Sequence, residues 1–204
     1  MSMSNVERFE SILSSIDRTG MDKLIAYIRK SDFYTAPAST RFHSCHEGGL
    51  LEHSLNVYDC LISKRNSDVW KDALKNVPDE SFAIAALCHD ICKTNFYSTE
   101  VKNRKVYKPD GSKKDSMGNY DWESYNAYTI NDKVPYGHGE KSVMMLEEFI
   151  KLKAAERYAI RWHMGYTEPK ENWNTFSAAI KLFPLCLALH ISDLEATHLM
   201  ETDE

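Results

Sequence analysis

The run LCHDIC, Leu87 to Cys92, places a histidine beside an aspartate directly after the apolar stretch Ala83-Ile84-Ala85-Ala86-Leu87. Burying an imidazole and a carboxylate without partners costs several kcal/mol, and a bound cation would satisfy both. The residues able to complete such a site are His53 in GGLLEHSLNVY, His138 in PYGHGEKS, His163 in IRWHMGY and Asp193 in ALHISDLEA. Each sits at a helix terminus or on a largely apolar helical segment. Histidine and aspartate suit a borderline or hard first-row divalent cation, and no thiolate cluster points to structural zinc. Six N/O ligands spread over five segments exceed what one tetrahedral ion needs and suffice for two ions sharing a bridging carboxylate. Any one of these histidines alone reads as an ordinary packed side chain, so the set carries the argument.

Lys93 lies about one helical turn beyond His89 and could reach a phosphate oxygen or a leaving group; otherwise it is a helix-terminal lysine that favours the dipole. Arg41 and His43, just before the Gly48-Gly49 turn, either meet a substrate phosphate or are loop residues in solvent. His46, His190 and His198 read as structural, and Cys88 and Cys92 as core filling rather than ligands.

The elements that must position these groups are mainly helical. Ser4 and Glu7 form a capping-box pattern ahead of Phe9, Ile12, Leu13 and Ile16, and Gly20 stops the run. A second helix is predicted over Met21 to Lys30, followed by a loop in SDFYTAPAST. Leu51, Leu55, Tyr58 and Ile62 mark a third helix carrying His53. DESFAIAALCHDIC reads as one helix capped by Asp79 and apolar almost all round, hence enclosed. From about residue 94 to 137 the pattern changes to Tyr- and Thr-rich sequence with the turn signals PDG and MGN, which predicts a β-hairpin or small β-meander inserted between helices. Helical periodicity returns in HGEKSVMMLEEFIKL, in KAAERYAIRWHM and from Trp173 onward, with Pro184 starting or kinking the last long helix. The expected architecture is all-α, one helical domain over residues 1–204 with a β-rich insertion.

A hydrophobic fraction of 43% in 204 residues argues against disorder, and a net charge of −5 argues against a generally basic nucleic-acid coat. Five cysteines without a CxxC pair do not make a disulfide framework. No apolar run reaches membrane-spanning length and MSMSNVERFE is unlike a signal peptide, so a cytoplasmic protein with no membrane partner is expected.

The order His53, His89-Asp90, His138, His163, Asp193 resembles the HD-domain metal-dependent phosphohydrolase superfamily in its two-metal form. The segments FHSCHEGGLLEHSLNV, LCHDICK, YGHGEKS, IRWHMGY and LHISDLEA look most like the hydrolase domain of YhaM-type 3′→5′ exoribonucleases, over about Pro37 to Ala196. The chain departs from that pattern in having Cys92 where such domains usually carry the glycine of HDIGK, although Lys93 is kept. It also has no room for the oligonucleotide-binding domain that precedes the hydrolase there, and its insertion is longer than a bare HD core needs.

The resemblance implies an HD helical bundle in which His53, His89, Asp90 and Asp193 hold one ion, and Asp90 bridges to a second held by His138 and His163. Two such ions, roughly 3.5–4 Å apart, activate water and clamp phosphoryl oxygens, with Asp90 and Lys93 as the catalytic side chains. The expected cofactors are one or two divalent ions per chain, with Mn, Fe, Ni, Co and Zn undistinguished. The expected substrate is a nucleotide or short single-stranded nucleic acid. Lys102, Arg104, Lys105, Lys108, Lys113 and Lys114, interleaved with aromatics, could track phosphates and stack bases, or form the hairpin's own core and solvated edge. The competing functions are a non-catalytic metal- or nucleotide-binding HD module and a di-iron oxygenase using the same ligands.

Overall fold

The computed structural model describes residues 3–42 and 44–202. It is mostly helical, with one small antiparallel sheet between helices. Helix α1 (Asn5–Ser14) opens on the capping box: Ser4 accepts from the Glu7 amide, and the Glu7 carboxylate accepts from the Ser4 amide at 2.8 Å. Helix α2 (Met21–Lys30) follows Gly20, whose φ of 89° and close approach to the Phe149 carbonyl both require glycine.

Helices α3 (Gly49–Arg65) and α5 (Asp79–Cys88) form the centre, with the short α4 (Lys71–Leu74) between them. Every residue of α5 from Ser81 to Cys88 is buried, because the helix separates two apolar clusters. Ala83, Ile84 and Leu87 face the first, with Phe9, Leu24 and Phe33; Phe82, Ala85 and Ala86 face the second, with Leu61, Phe176 and Leu189. An apolar pattern all round a helix is the signature of such a central position.

Several predicted boundaries shift. Asp79 is the first residue of α5 rather than its cap, which is Pro78, and α5 stops at Cys88 instead of running to Cys92. His89 and Asp90 occupy a turn, and Ile91–Lys93 form a 3₁₀ turn. Helix α6 (His138–Glu147) and helix α7 (Ala154–Arg161) are likewise shorter than their apolar periodicity, so His163 lies just past the end of α7. Pro184 starts the last helix as its N-cap, the first of the two alternatives expected for it. Helix α8 (Trp173–Leu182) ends before it, and α9 (Leu185–Glu195) runs on into a π-helical turn over Ala196–Met200. No single helix among the described residues is long and apolar enough to cross a membrane; α8 and α9 pass such a test only as a pair bent by 113°.

The inserted sheet has strands β1 (Tyr97–Tyr107), β2 (Lys113–Asp115) and β3 (Gly118–Ile130) in the order β1-β3-β2. β1 and β3 pair over their whole length, from Tyr97 opposite Ile130 to Tyr107 opposite Tyr120. β2 pairs only with Gly118–Tyr120, leaving the other edge of β3 from Asp121 to Ile130 without a strand partner among the described residues. The base of the sheet is tied to the helices. Tyr97 donates to the Ala38 carbonyl at 3.0 Å, and buried Lys141 of α6 pairs with Asp132 at 2.6 Å while lying over the Phe96 ring.

Candidate metal centre

His53 projects from α3, His89 and Asp90 from the turn after α5, His138 from the first residue of α6, His163 from the turn after α7 and Asp193 from α9. α3 packs against α5 and α9, and α7 against α5, α6 and α9, so five separate segments converge on one point. Asp90 is at its centre. Its Oδ2 faces His53 Nε2 at 3.8 Å, His89 Nε2 at 3.5 Å and Lys93 Nζ at 2.6 Å. Its Oδ1 faces His138 Nε2 at 2.8 Å and His163 Nε2 at 3.5 Å. Asp193 Oδ1 is 3.2 Å from His53 Nε2. All six ligand candidates are therefore brought together, and each oxygen of Asp90 serves a different group of histidines.

The rings are fixed from behind. His89 Nδ1 donates to the Ala86 carbonyl and His163 Nδ1 to the Ile160 carbonyl, both at 2.7 Å. A carbonyl only accepts, so the proton of each neutral ring is on Nδ1 and the Nε2 lone pair points inward. The Nε2 atoms of His89 and His163 and the Oδ1 of Asp90 are buried and make no hydrogen bond; the short approaches to Asp90 Oδ1 do not have hydrogen-bond geometry. Three converging acceptors of this kind, each costly to leave unmatched, are what a divalent cation matches. Overlapping groups able to hold one are His53, His89 and Asp90; His89, His163 and Asp193; and Asp90, Cys92 and His138. His163 thus sides with His89 and Asp193 as well as with His138, a less tidy division than the resemblance implies.

The electrostatics follow from burial and proximity. Burial pushes His89 down to about 4, keeping it neutral. Burial alone would also lower His53, but Asp193 and Glu201 outweigh it and raise the ring to about 9. Asp90 is held well below the usual carboxylate range despite burial, first by Lys93 and then by His89 and His138. Lys93 is raised against its burial by Asp90, and Asp193 is lowered against its burial by His53. Without metal the cluster is a set of carboxylates neutralised by Lys93 and a protonated His53, and a cation binding at His53 must displace that proton.

Two side chains enter that the sequence reading does not assign to the site. Glu201, in the turn after Ala196–Met200, accepts from His53 Nδ1 at 3.0 Å, from Ser44 Oγ at 2.8 Å and from Asn56 Nδ2 at 3.0 Å. Cys92 does more than fill core: its Sγ lies 3.2 Å from His138 Nδ1, while burial raises its thiol to about 12. Of the histidines read as structural, His190 lines the cavity and donates through Nδ1 to the His163 carbonyl at 2.7 Å, whereas His46 and His198 are exposed.

The cluster opens into a cavity of about 420 Å³ lined by Lys93, Phe96, Tyr97, Met164 and Thr167 among others. Arg41 is not part of its wall. It is exposed and lines a neighbouring groove, and His43 lies outside the described residues. Comparison of the chain with protein-family models, with curated proteins and with solved structures finds no match.

Proposed function

We propose that the protein is a divalent-metal-dependent phosphohydrolase with an HD-type helical bundle, acting on phosphate esters of a nucleotide or short nucleic acid. The observation that carries this reading is Asp90, a buried carboxylate whose two oxygens face two sets of inward-pointing imidazoles and whose neighbour Lys93 lines the open cavity. The donor set suits one or two ions that take N/O ligands, with His53, His89, Asp90, His138, His163 and Asp193 as the residues that would hold them. Bound there, divalent cations supply an activated water and neutralise phosphoryl charge.

The chain's own residues supply the rest. Asp90 joins the two halves of the donor set and holds the proton-free carboxylate that both need. The carbonyls behind His89 and His163 hold their rings with Nδ1–H outward and Nε2 towards Asp90, burial keeps His89 neutral, and Asp90 raises His163 against its burial. Lys93, protonated at 2.6 Å from Asp90, is placed on the cavity wall to attract an anionic ester and to stabilise charge on its oxygens. Phe96, Tyr97 and Met164 enclose that position in apolar surface, where electrostatic attraction is stronger than in open water.

The test is metal content of the purified protein, together with hydrolysis of a chromogenic phosphate ester and bis(p-nitrophenyl) phosphate in Mn. One or two ions per chain with turnover, both lost in Asp90→Ala while helical circular dichroism is retained, is the expected result. Metal without turnover would favour a non-catalytic binding module, and turnover unaffected by Asp90→Ala would overturn the mechanism.

A further inference from the structure

The four histidines of the centre share one arrangement, and His138 departs from it. Each turns Nε2 towards an oxygen of Asp90 and is held at Nδ1 from behind. For His89 and His163 the holding group is a backbone carbonyl at 2.7 Å, and for His53 it is the Glu201 carboxylate at 3.0 Å. For His138 it is the Cys92 sulfur at 3.2 Å, a weak hydrogen-bonding atom in place of an oxygen. The side chains of His53, His89 and His163 are at most 1% exposed, whereas that of His138 is 32% exposed. It lines the metal cavity and also, with Cys92 and Lys141, a neighbouring cavity of about 340 Å³.

Helix ends divide the ligands in the same way. His89 directly follows α5 and His163 lies two residues beyond α7, at ends whose carbonyls carry partial negative charge and favour a cation. His138 is the first residue of α6, where the free amides carry partial positive charge and oppose one. Asp90 Oδ1 nevertheless faces His138 at 2.8 Å and is buried without a hydrogen bond, so this side of the carboxylate also calls for a cation.

Cys92 is fixed where it can brace the ring. Its amide donates to Ser142 Oγ at 3.3 Å, and Ser142 follows His138 by about one turn of α6. The turn Ile91–Lys93 therefore lies along the α6 face that carries His138, with the buried thiol against Nδ1. A neutral ring that offers Nε2 to a cation keeps its proton on Nδ1, and Cys92 Sγ is the acceptor in place for it.

We infer that the centre binds two ions unequally, that the ion beside His138 is the weaker and exchangeable one, and that Cys92 is the positioning residue that sets its affinity. The inference rests on the reading of the cluster as a divalent-metal centre, and it needs no catalysis to be measured.

The experiment is a Mn titration of the metal-free full chain, followed through the electron paramagnetic resonance of free Mn, with Cys92→Ala, Cys92→Ser and His138→Ala alongside. The parent should bind two ions that differ about tenfold or more in affinity, and His138→Ala should keep only the tighter one. Cys92→Ala should weaken the second ion by about 10-fold or more and leave the first unchanged, which also shows that the variant is folded. Cys92→Ser, which restores a hydrogen-bonding group, should recover part of the loss. Two ions of equal affinity, a single ion in the parent, or an unchanged second ion in Cys92→Ala would each overturn the inference. Equal weakening of both ions, or no recovery with serine, would reduce Cys92 to core packing. Loading with Co distinguishes bracing from ligation: sulfur-to-cobalt charge-transfer absorption that disappears in Cys92→Ser would make Cys92 a ligand and overturn its place behind the ring. The two readings fail separately. No bound ion in the parent removes the metal-dependent reading itself, whereas two unequal ions without hydrolysis of bis(p-nitrophenyl) phosphate remove the phosphohydrolase and leave this inference standing.

Discussion

Glu201 receives the Nδ1 hydrogen of His53 at 3.0 Å across 148 residues of sequence, and so ties the last turn of the described chain to the α3 ring that faces Asp90 and Asp193. The same carboxylate accepts from Ser44 and Asn56, and His53 together with these two donors holds it down at about 2, against its partial burial. Ser44 itself sits at φ 46°, a conformation that costs a non-glycine residue of order 1–3 kcal/mol, and Gly49 makes room for it because any Cβ there would strike the Ser44 carbonyl. A carboxylate behind a ligating histidine fixes the ring and raises its basicity.

Glu201→Gln should therefore lower metal affinity by about 10- to 100-fold while leaving the ligands in place. Competition titration with a chromophoric chelator measures this directly. An unchanged affinity would reduce Glu201 to a tether for the chain end, and Glu201→Asp, which restores the charge, should recover part of the loss.

Gly139 lets α6 and α7 approach closely enough to bring His138 and His163 together. A Cβ at this position would lie 2.2 Å from the backbone carbonyl of Arg161, which has no flexible end to move aside. The two rings it serves are 5.0 Å apart between centres. Gly139→Ala should cost about 1–3 kcal/mol of stability, as overpacking does, and should weaken metal binding by spreading the pair. A urea melt and the same chelator titration test both, and a variant as stable as the parent would show that the helices separate without resistance.

Lys93 makes two separable predictions. Removing the partner of a buried charge destabilises strongly, so Lys93→Ala should lower the stability of the metal-free protein by roughly 3–5 kcal/mol. A bound cation takes over the neutralisation of Asp90, so the loss should shrink in Mn. If Lys93 also stabilises charge on the ester, kcat falls by about 10²-fold with metal content unchanged. Equal destabilisation with and without metal would contradict the shared role at Asp90, and an unchanged kcat would return Lys93 to a structural ion pair.

The six ligand candidates and the mostly helical character with a β insertion were legible because they rest on residue type, order and period. The ends of α5 and α7 were not. In both, a histidine side chain takes the carbonyl three residues earlier, at Ala86 and at Ile160, in place of a backbone N–H, and the chain turns away from the helix although apolar periodicity continues. That local exchange releases His89 and His163 from the helix surface and turns Nε2 inward. Glu201 was illegible for another reason. Its contacts are long-range, and the only local hint is its place eight residues after Asp193, where the chain continues from α9 through the π-helical turn. Cys92 could be read as apolar filling because nothing in LCHDICK says that His138 returns to within 3.2 Å of it after the whole insertion.

The tip of the inserted sheet should respond to acid. Asp115 is lowered to about 2, chiefly by Lys105 and then by the Met117 amide, and Asp121 is lowered further by Lys108 and Ser112. A carboxyl whose folded value lies below its unfolded value of about 3.8 contributes stability above that pH, and loses the contribution as the pH falls through the folded value. The tip from Lys108 to Gly118 is therefore expected to hold down to about pH 4 and to loosen from there towards about pH 2 and below, while β1–β3 pairing near Tyr97 and Ile130 persists. Both carboxylates are partly open to solvent, so salt should narrow the effect. Amide hydrogen exchange resolved by residue, recorded from about pH 5 to about pH 2 and corrected for intrinsic exchange rates, measures it. Protection at the tip that stays constant over that range would show that β2 is held by its ladder to Gly118–Tyr120 and not by these ion pairs.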